Sequence, residues 1–198
     1  MKILFLTNNE NSLILADWLR NSAKEEVHVV SDRINKEKIF EKKYDFLISY
    51  NYKYIIKKEI LDYFPRRAIN LHISYLPWNK GSNPNFWSFV ENSIKGVTIH
   101  LLNEGLDTGD ILLQEEVKFN ENNETLKSSY EKLQSLIQEL FCMYWEDIKN
   151  IRIIPMPQKV MGSYHTLKEF EKYKSFLGED IWSMKISYLK IKLKEIGA

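Results

Sequence analysis

The stretch "DFLISYNYKYIIKKEILDYFPRRAINLH", residues 45–72, decides the fold. Asp45 to Ser49 and Ala68 to Leu71 are short apolar runs of strand length, and the sequence between them is compatible with a helix. Strands separated in this way belong to a largely parallel sheet whose faces are covered by helices. The same pattern extends towards the N-terminus. "KILFLT" (residues 2–7) and "VHVV" (27–30) are two further strands. "NNENSLILADWLR" between them offers Asn and Ser as caps and Leu13, Leu15, Trp18 and Leu19 as the apolar positions of a helix.

Downstream the pattern changes. "GVTIHLL" (96–102) and "DILLQEEVKF" (110–119) follow one another without a helix, as antiparallel additions at one side of the sheet. A long helix is expected after Asn122-Asn123, because Leu126, Tyr130, Leu133, Ile137, Leu140, Phe141, Tyr144 and Ile148 step by three and four along one stripe. The prolines of "IIPMPQ" (153–158) end that pattern. The expected fold class is therefore α/β, a Rossmann-like, mostly parallel sheet with helices on both faces. The expected division is a main domain over 1–152 and a small C-terminal appendage over 153–198.

Composition excludes several classes of function. The chain has 198 residues, enough to bury a core without disulfides or metals. Lys and Arg number 28 and Asp and Glu 27, so no bulk basic field points to nucleic acid or to a membrane surface. Cys142 is the single cysteine, which excludes an internal disulfide framework and a multi-thiolate metal cluster within one chain. At this position in the helical stripe it reads as a small core or near-core residue. The first apolar run is too short for a signal-peptide core, and no stretch reaches membrane-spanning length. The expected compartment is the cytoplasm.

Two constellations carry chemistry. In a strand, residues i and i+2 face the same way, so Asn70 and His72 project together from the carboxyl end of a strand. Open α/β sheets place their ligands at such ends. Taken alone, Asn-x-His there also fits a structural pair satisfied by backbone or water. The second is "LLNEGLDTGDILLQ" (101–114), where Gly105 and Gly109 bracket Leu106-Asp107-Thr108. Glycines permit a tight loop that approaches a ligand closely. Asp107 and Asp110 are both candidate carboxylates, and each also fits a turn or capping role.

"INLHISYLP" followed by "GVTIHLLNEGLDTGDILLQ" resembles the N10-formyltetrahydrofolate-dependent formyltransferases, over roughly residues 1–150. These include enzymes acting on methionyl-tRNA, on glycinamide ribonucleotide and on nucleotide-linked amino sugars. The resemblance implies a catalytic trio of Asn70, His72 and Asp107, with Asp110 outside it. In the implied reaction a primary amine attacks the formyl carbon through a tetrahedral oxyanion. Asn70 would donate to that oxygen, a contact whose loss typically costs ~10²–10³-fold in rate. His72, of a residue type that titrates near neutrality, would take the proton that the amine loses. Asp107 would orient the imidazole or an ordered water and favour the imidazolium.

The resemblance also assigns a formyl donor, N10-formyltetrahydrofolate, and implies no metal. "SYNYKYII" (49–56) is similar to the segment that lines the folate pocket, which makes Tyr52, Lys53, Tyr54 and Ile55 the matching positions. The Asn103–Asp107 loop would close the other side. "LPWNKGSNPNFWSF" (76–89) looks like the loop of formyltransferases acting on nucleotide-linked 4-amino-4,6-dideoxy sugars, and "GSYHTLKEFEKY" (162–173) is similarly placed to a segment of theirs. Lys80 is then a candidate phosphate contact, Trp78 and Trp87 candidate platforms for a sugar or base, and Asn9 a candidate polar contact at the first strand–helix turn.

The expected substrate is a nucleotide-linked amino-deoxy sugar, such as a dTDP-4-amino-4,6-dideoxyhexose, of the kind used in lipopolysaccharide O-antigen. No nucleic acid or membrane partner is expected, and a homodimer is the assembly considered. Glycinamide ribonucleotide, methionyl-tRNA and a non-catalytic folate- or nucleotide-binding role are the alternatives. Binding tRNA would call for a concentrated basic surface, and "KIKLKE" (190–195) is too little for one. Two departures bear on the pocket rim. The region 35–43 looks shortened, and His72 to Asp107 is 107 − 72 = 35 positions, slightly fewer than the resemblance leads one to expect. His100 alternates with apolar residues inside a strand and reads as structural, while His28 and His165 take no role.

Overall fold

The computed structural model describes residues 1–195. Its strands are β1 (Lys2–Leu6), β2 (Glu26–Val30), β3 (Phe46–Tyr50), β4 (Ala68–His72), β5 (Lys80–Gly81), β6 (Gly96–Leu101), β7 (Ile111–Glu116) and β8 (Tyr164–His165). Six of them form a mixed sheet in the order β2-β1-β3-β4-β6-β7, and β5 and β8 make a separate two-stranded ladder. The chain divides into two compact units. One comprises Met1–His72, Ile99–Leu112 and Leu140–Pro157; the other comprises Ile73–Thr98, Leu113–Glu139 and the described residues from Gln158 on.

In the first unit, β1 pairs in parallel with β2 and β3, and β3 in parallel with β4, setting Ser49 opposite Asn70. All five residues of β3 are buried, as the centre of a sheet covered on both faces requires. Helix α1 (Leu13–Asn21) buries Leu15, Ala16 and Leu19. Helix α2 (Lys36–Lys42) fills the region expected to be short; Asn35 caps it by accepting from Lys38 N, and Lys43 ends it at φ 51°. Helix α3 (Lys58–Leu61) is a single turn before β4. Leu4, Leu6 and Leu47 pack with Ile39, Ile60 and Phe64 into one apolar cluster, each side chain contributing about 1.5–3 kcal/mol by burial.

The antiparallel additions are as the sequence suggests. Leu102 N donates to Ala68 O at 2.9 Å and Leu101 N to Asp110 O at 2.8 Å, so β6 runs against β4 and its successor turns back beside it. The long helix, α5 (Leu126–Lys149), is also where expected. Its apolar stripe departs from the expectation at Tyr130 and Tyr144, both half-buried, and Trp145 is fully buried alongside Phe141, packed edge-on against Phe46 with centroids 5.3 Å apart.

The second unit contains helix α4 (Pro84–Val90), helix α6 (Leu167–Leu177) and helix α7 (Ile186–Glu195). Residues 76–89, read as a loop, hold β5 and α4 instead. Pro84 stands in the first turn, where its fixed φ suits a helix and its missing N–H is no loss. Phe86, Phe89, Leu126, Phe170, Ile181 and Leu189 share one core, so α4 packs with the C-terminal helices. Thr166 and Glu169 close a reciprocal capping box at the start of α6. Among the described residues, no helix is long and apolar enough to cross a membrane.

Candidate active site

Strand β4 supplies two of the polar groups. Asn70 is half-buried and His72 buried, and both point to one side because they are two residues apart. The third comes from the loop after β6. Asp107 is buried, and its backbone is in the left-handed region at φ 53°. Few residues other than Gly, Asn and Asp adopt that conformation readily. A Cβ at Gly109 would overlap the Leu101 carbonyl, so the return strand can pass close to β6 only with glycine there. Asn103 orders the same loop from within: its Oδ1 accepts from Gly105 N at 3.1 Å and from Thr108 Oγ1 at 2.8 Å.

The three groups converge on the Asp107 carboxylate. Asn70 Nδ2 donates to Oδ1 at 3.0 Å, and His72 Nδ1 lies 3.6 Å from Oδ2, within ion-pair range though too far for a hydrogen bond. A fourth group joins them. His100 on β6 is buried, with Nε2 at 3.3 Å from Asn70 Nδ2 and 3.5 Å from Asp107 Oδ1. Its Nδ1 is 2.8 Å from the Leu101 carbonyl, which only accepts, so Nδ1 carries the hydrogen and in the neutral ring Nε2 accepts from Asn70. Both Asn70 hydrogens are thereby directed at protein acceptors, and the amide turned towards a developing negative charge has to release one of them. A buried carboxylate needs such partners, since without them its burial is strongly unfavourable.

An imidazole alternating with Val97, Ile99 and Leu101 reads as an ordinary inward residue, and the structure sets it beside Asn70 and Asp107. The available signal was the antiparallel pairing itself, which sets position 100 beside position 70. Asp110 takes a different place: its side chain is exposed, and its carbonyl pairs with Leu101 N.

The other expected contacts are partly engaged within the protein. The Tyr52 hydroxyl donates to Asp32 O at 2.7 Å, and burial above all pushes its phenol pKa upwards. Tyr54 packs edge-on against Tyr52, with Arg33 over its ring at 4.6 Å and Lys53 at 5.1 Å. Lys53 is exposed, as is Ile55, and Lys53 N donates to Asn8 Oδ1. Asn9 caps a short turn by accepting from Asn11 N at 3.0 Å. In the second unit, Trp78 is exposed. Lys80 is buried and donates to Met161 O at 2.6 Å, and Trp87 is buried with its ring stacked on His165 at 3.9 Å. A phosphate contact by Lys80 therefore competes with that carbonyl.

The first unit also contains a cavity of about 550 Å³, lined among others by Leu61, Phe64, Ala68, Leu102, Asn103 and Gly105. Ala68 is two residues before Asn70 on β4, hence on the same face. Its lining combines the apolar Leu61, Phe64, Ala68 and Leu102 with the charged Lys58, Asp62, Arg66 and Glu104 and the Asn103–Gly105 turn.

Comparison with known proteins places these groups in context. Residues 3–143 match the formyl transferase family. The chain is 36% identical over 146 residues to a methionyl-tRNA formyltransferase of Prochlorococcus marinus, covering 70% of this chain and 44% of that protein. It thus spans less than half the length of that curated relative. Among solved structures it is similar to the formyltransferase PseJ of Anoxybacillus kamchatkensis, solved with UDP-4,6-dideoxy-4-formamido-L-AltNAc and tetrahydrofolate. The identity is 47% and the TM-score 0.87, over 96% of this chain and 97% of that one. A 4-N formyltransferase of Francisella tularensis is 26% identical with a TM-score of 0.74, over 87% of this chain and 78% of that one. The match spans the parallel strands, the Asn70–His72 strand end and the Asp107 loop together, and the chain belongs to the formyl transferase family.

Proposed function

We propose that this protein transfers a formyl group from N10-formyltetrahydrofolate to the primary amine of a nucleotide-linked amino-deoxy sugar. The observation that carries this is likeness to PseJ along 97% of that protein, whose bound ligands are a formamido sugar nucleotide and tetrahydrofolate. That ligand makes a UDP-linked 4-amino-4,6-dideoxy sugar the first candidate, ahead of a dTDP sugar. The cavity beside Ala68 and the Asn103–Gly105 turn suits the pteridine, with the segment carrying Tyr52, Lys53, Tyr54 and Ile55 as a further wall. When bound, the folate supplies the formyl carbon. His72 takes the proton that the attacking amine loses. Asp107 favours the resulting imidazolium, with Oδ2 3.6 Å from His72 Nδ1. Asn70 holds Asp107 and offers its amide to negative charge developing on oxygen.

The amine-bearing substrate falls to the 77–87 stretch, with Trp78 and Trp87 as its apolar surfaces and Lys80 as a polar group; Asn9, in the first unit, is a further candidate polar contact. The reaction as proposed takes place in the cytoplasm, needs no metal, and feeds assembly of a surface glycan such as lipopolysaccharide O-antigen; a homodimer is the proposed assembly. The test is a panel of UDP- and dTDP-linked amino sugars, glycinamide ribonucleotide and methionyl-tRNA, each with N10-formyltetrahydrofolate and read by product mass. Formylation of a sugar nucleotide at the highest kcat/KM is the expected result. Faster formylation of methionyl-tRNA or glycinamide ribonucleotide would overturn it.

A further inference from the structure

The second unit holds a polar cluster that the chemistry above does not use. Glu91 follows α4 directly, and its carboxylate accepts three hydrogen bonds from two separated segments. Asn79 Nδ2 donates to Oε2 at 2.7 Å, Ser163 Oγ to Oε2 at 2.6 Å, and His165 Nε2 to Oε1 at 2.7 Å. Bonds to an ionised acceptor are roughly twice as strong as neutral ones. Asn79 is buried, at φ 59°, and is held from two further sides: its N–H donates to Ser163 Oγ at 2.9 Å, and its Oδ1 accepts from Ser93 Oγ at 2.7 Å.

The backbone is stitched along the same line. Lys80 N donates to Ser163 O and Ser82 N to His165 O, which makes the β5–β8 ladder. Gly81 and Gly162 both have positive φ, and a Cβ on either would run into a carbonyl, that of His165 or that of Pro77. The stitch therefore has no slack for side chains at those two points. Because Glu91 accepts from Nε2, it also fixes which His165 nitrogen carries the hydrogen and how the ring turns. The ring lies 9° from parallel with the Trp87 indole, at 3.9 Å.

We infer that Glu91 is the positioning residue of the amine-substrate loop: it ties residues 79–82 to residues 163–165 and holds His165 flat on Trp87. This rests on the reading of the 77–87 stretch as the substrate loop. The three donors to Glu91 are Asn79, Ser163 and His165, none of them a member of the Asn70, His72 and Asp107 trio. A residue that shapes only this loop changes substrate binding more than the chemical step.

The experiment uses the full chain and two variants, Glu91→Gln and the milder Ser163→Ala, which removes one of the three donors and leaves the carboxylate. Steady-state kinetics on whichever amine the panel selects should show KM for that amine raised at least ~10-fold in Glu91→Gln, with kcat and donor KM within about threefold. Ser163→Ala should shift in the same direction by less. Hydrogen exchange should show the Lys80 and Ser82 amides opening faster in Glu91→Gln, with β1 and β3 amides unchanged. Unchanged amine KM with faster exchange would overturn the inference, since the stitch would then exist without positioning substrate. A fall in kcat alone, or unchanged exchange, would overturn it as well. If the panel selects an amine other than a sugar nucleotide, the proposed function fails. The positioning role would still stand if the same split between KM and kcat appeared on that amine.

Discussion

At the scale of single residues, the candidate site is organised around one buried carboxyl group. Asp107 sits between two imidazoles and an amide, and its left-handed backbone aims the carboxylate at Asn70. Asp107→Asn keeps the shape and removes the charge; with its carbonyl accepting from Asn70, its NH₂ faces His72 in place of a carboxylate oxygen. The protein should fold normally and lose at least ~10²-fold in kcat, with amine KM shifting much less, the pattern of a lost transition-state interaction. Asp110→Asn should retain most activity, because its side chain is exposed and its structural bond comes from the backbone. Kinetics on both variants, with circular dichroism for folding, checks this; an active Asp107→Asn beside a folded, inactive Asp110→Asn would reverse the assignment. Asn70, His72 and Asp107 were legible because their motifs are long and local. His100 was not, since its partners lie 30 and 7 residues away in sequence and are brought to it by strand pairing.

At the scale of elements, α5 and the edge of the sheet are joined by a buried acid. Glu25, just before β2, accepts from the Met1 amine, from Lys149 Nζ at 3.0 Å and from Trp145 Nε1 at 3.3 Å. Burial opposes its ionisation, yet the bonds from Met1, Lys149 and Trp145 outweigh it, and the carboxyl titrates below its ordinary value near 4.5. Its folded pKa is thus depressed relative to the unfolded chain. The stabilisation is complete above the unfolded value and is lost as pH falls through the folded one. Glu25→Ala should cost about 2 kcal/mol at neutral pH, leaving the buried Trp145 N–H without its acceptor and Lys149 with Glu146 as its remaining carboxylate partner. The difference from wild type should shrink at acid pH, as the pH falls from the ordinary value near 4.5 through the depressed folded one. Urea unfolding at both pH values measures it; a constant difference across that range would contradict the linkage. The α5 stripe was legible from its period. The choice of Trp145 over Tyr144 was not, because adjacent positions on a helix are about 100° apart and only the packed neighbour, Phe46, decides which faces inward.

At the scale of the whole molecule, the family match and the likeness to PseJ cover both units, while the methionyl-tRNA formyltransferase shares less than half of its length with this chain. The proposed reaction draws its electrostatics from side chains and loop backbone. Activity should therefore survive overnight chelation with EDTA, within about twofold. Loss of activity on chelation, restored by one divalent ion, would require a different mechanism.

The sequence by itself determined the parallel βαβ order, the antiparallel strands, the α5 helix and the Asn70, His72 and Asp107 motifs. Each is written in a short window: a run of apolar residues, a period of three and four, or a glycine-bracketed loop. Tertiary structure alone decided the rest. The β5–β8 ladder is two residues on each side, too short to leave a period, and it exists because Gly81 and Gly162 let two backbones approach whose paired residues are 164 − 80 = 84 positions apart. The buried Lys80, the His165–Trp87 stack and the three bonds to Glu91 follow from that approach. None of those pairs shares a local window, so burial and hydrogen-bond satisfaction select them only once the chain is folded.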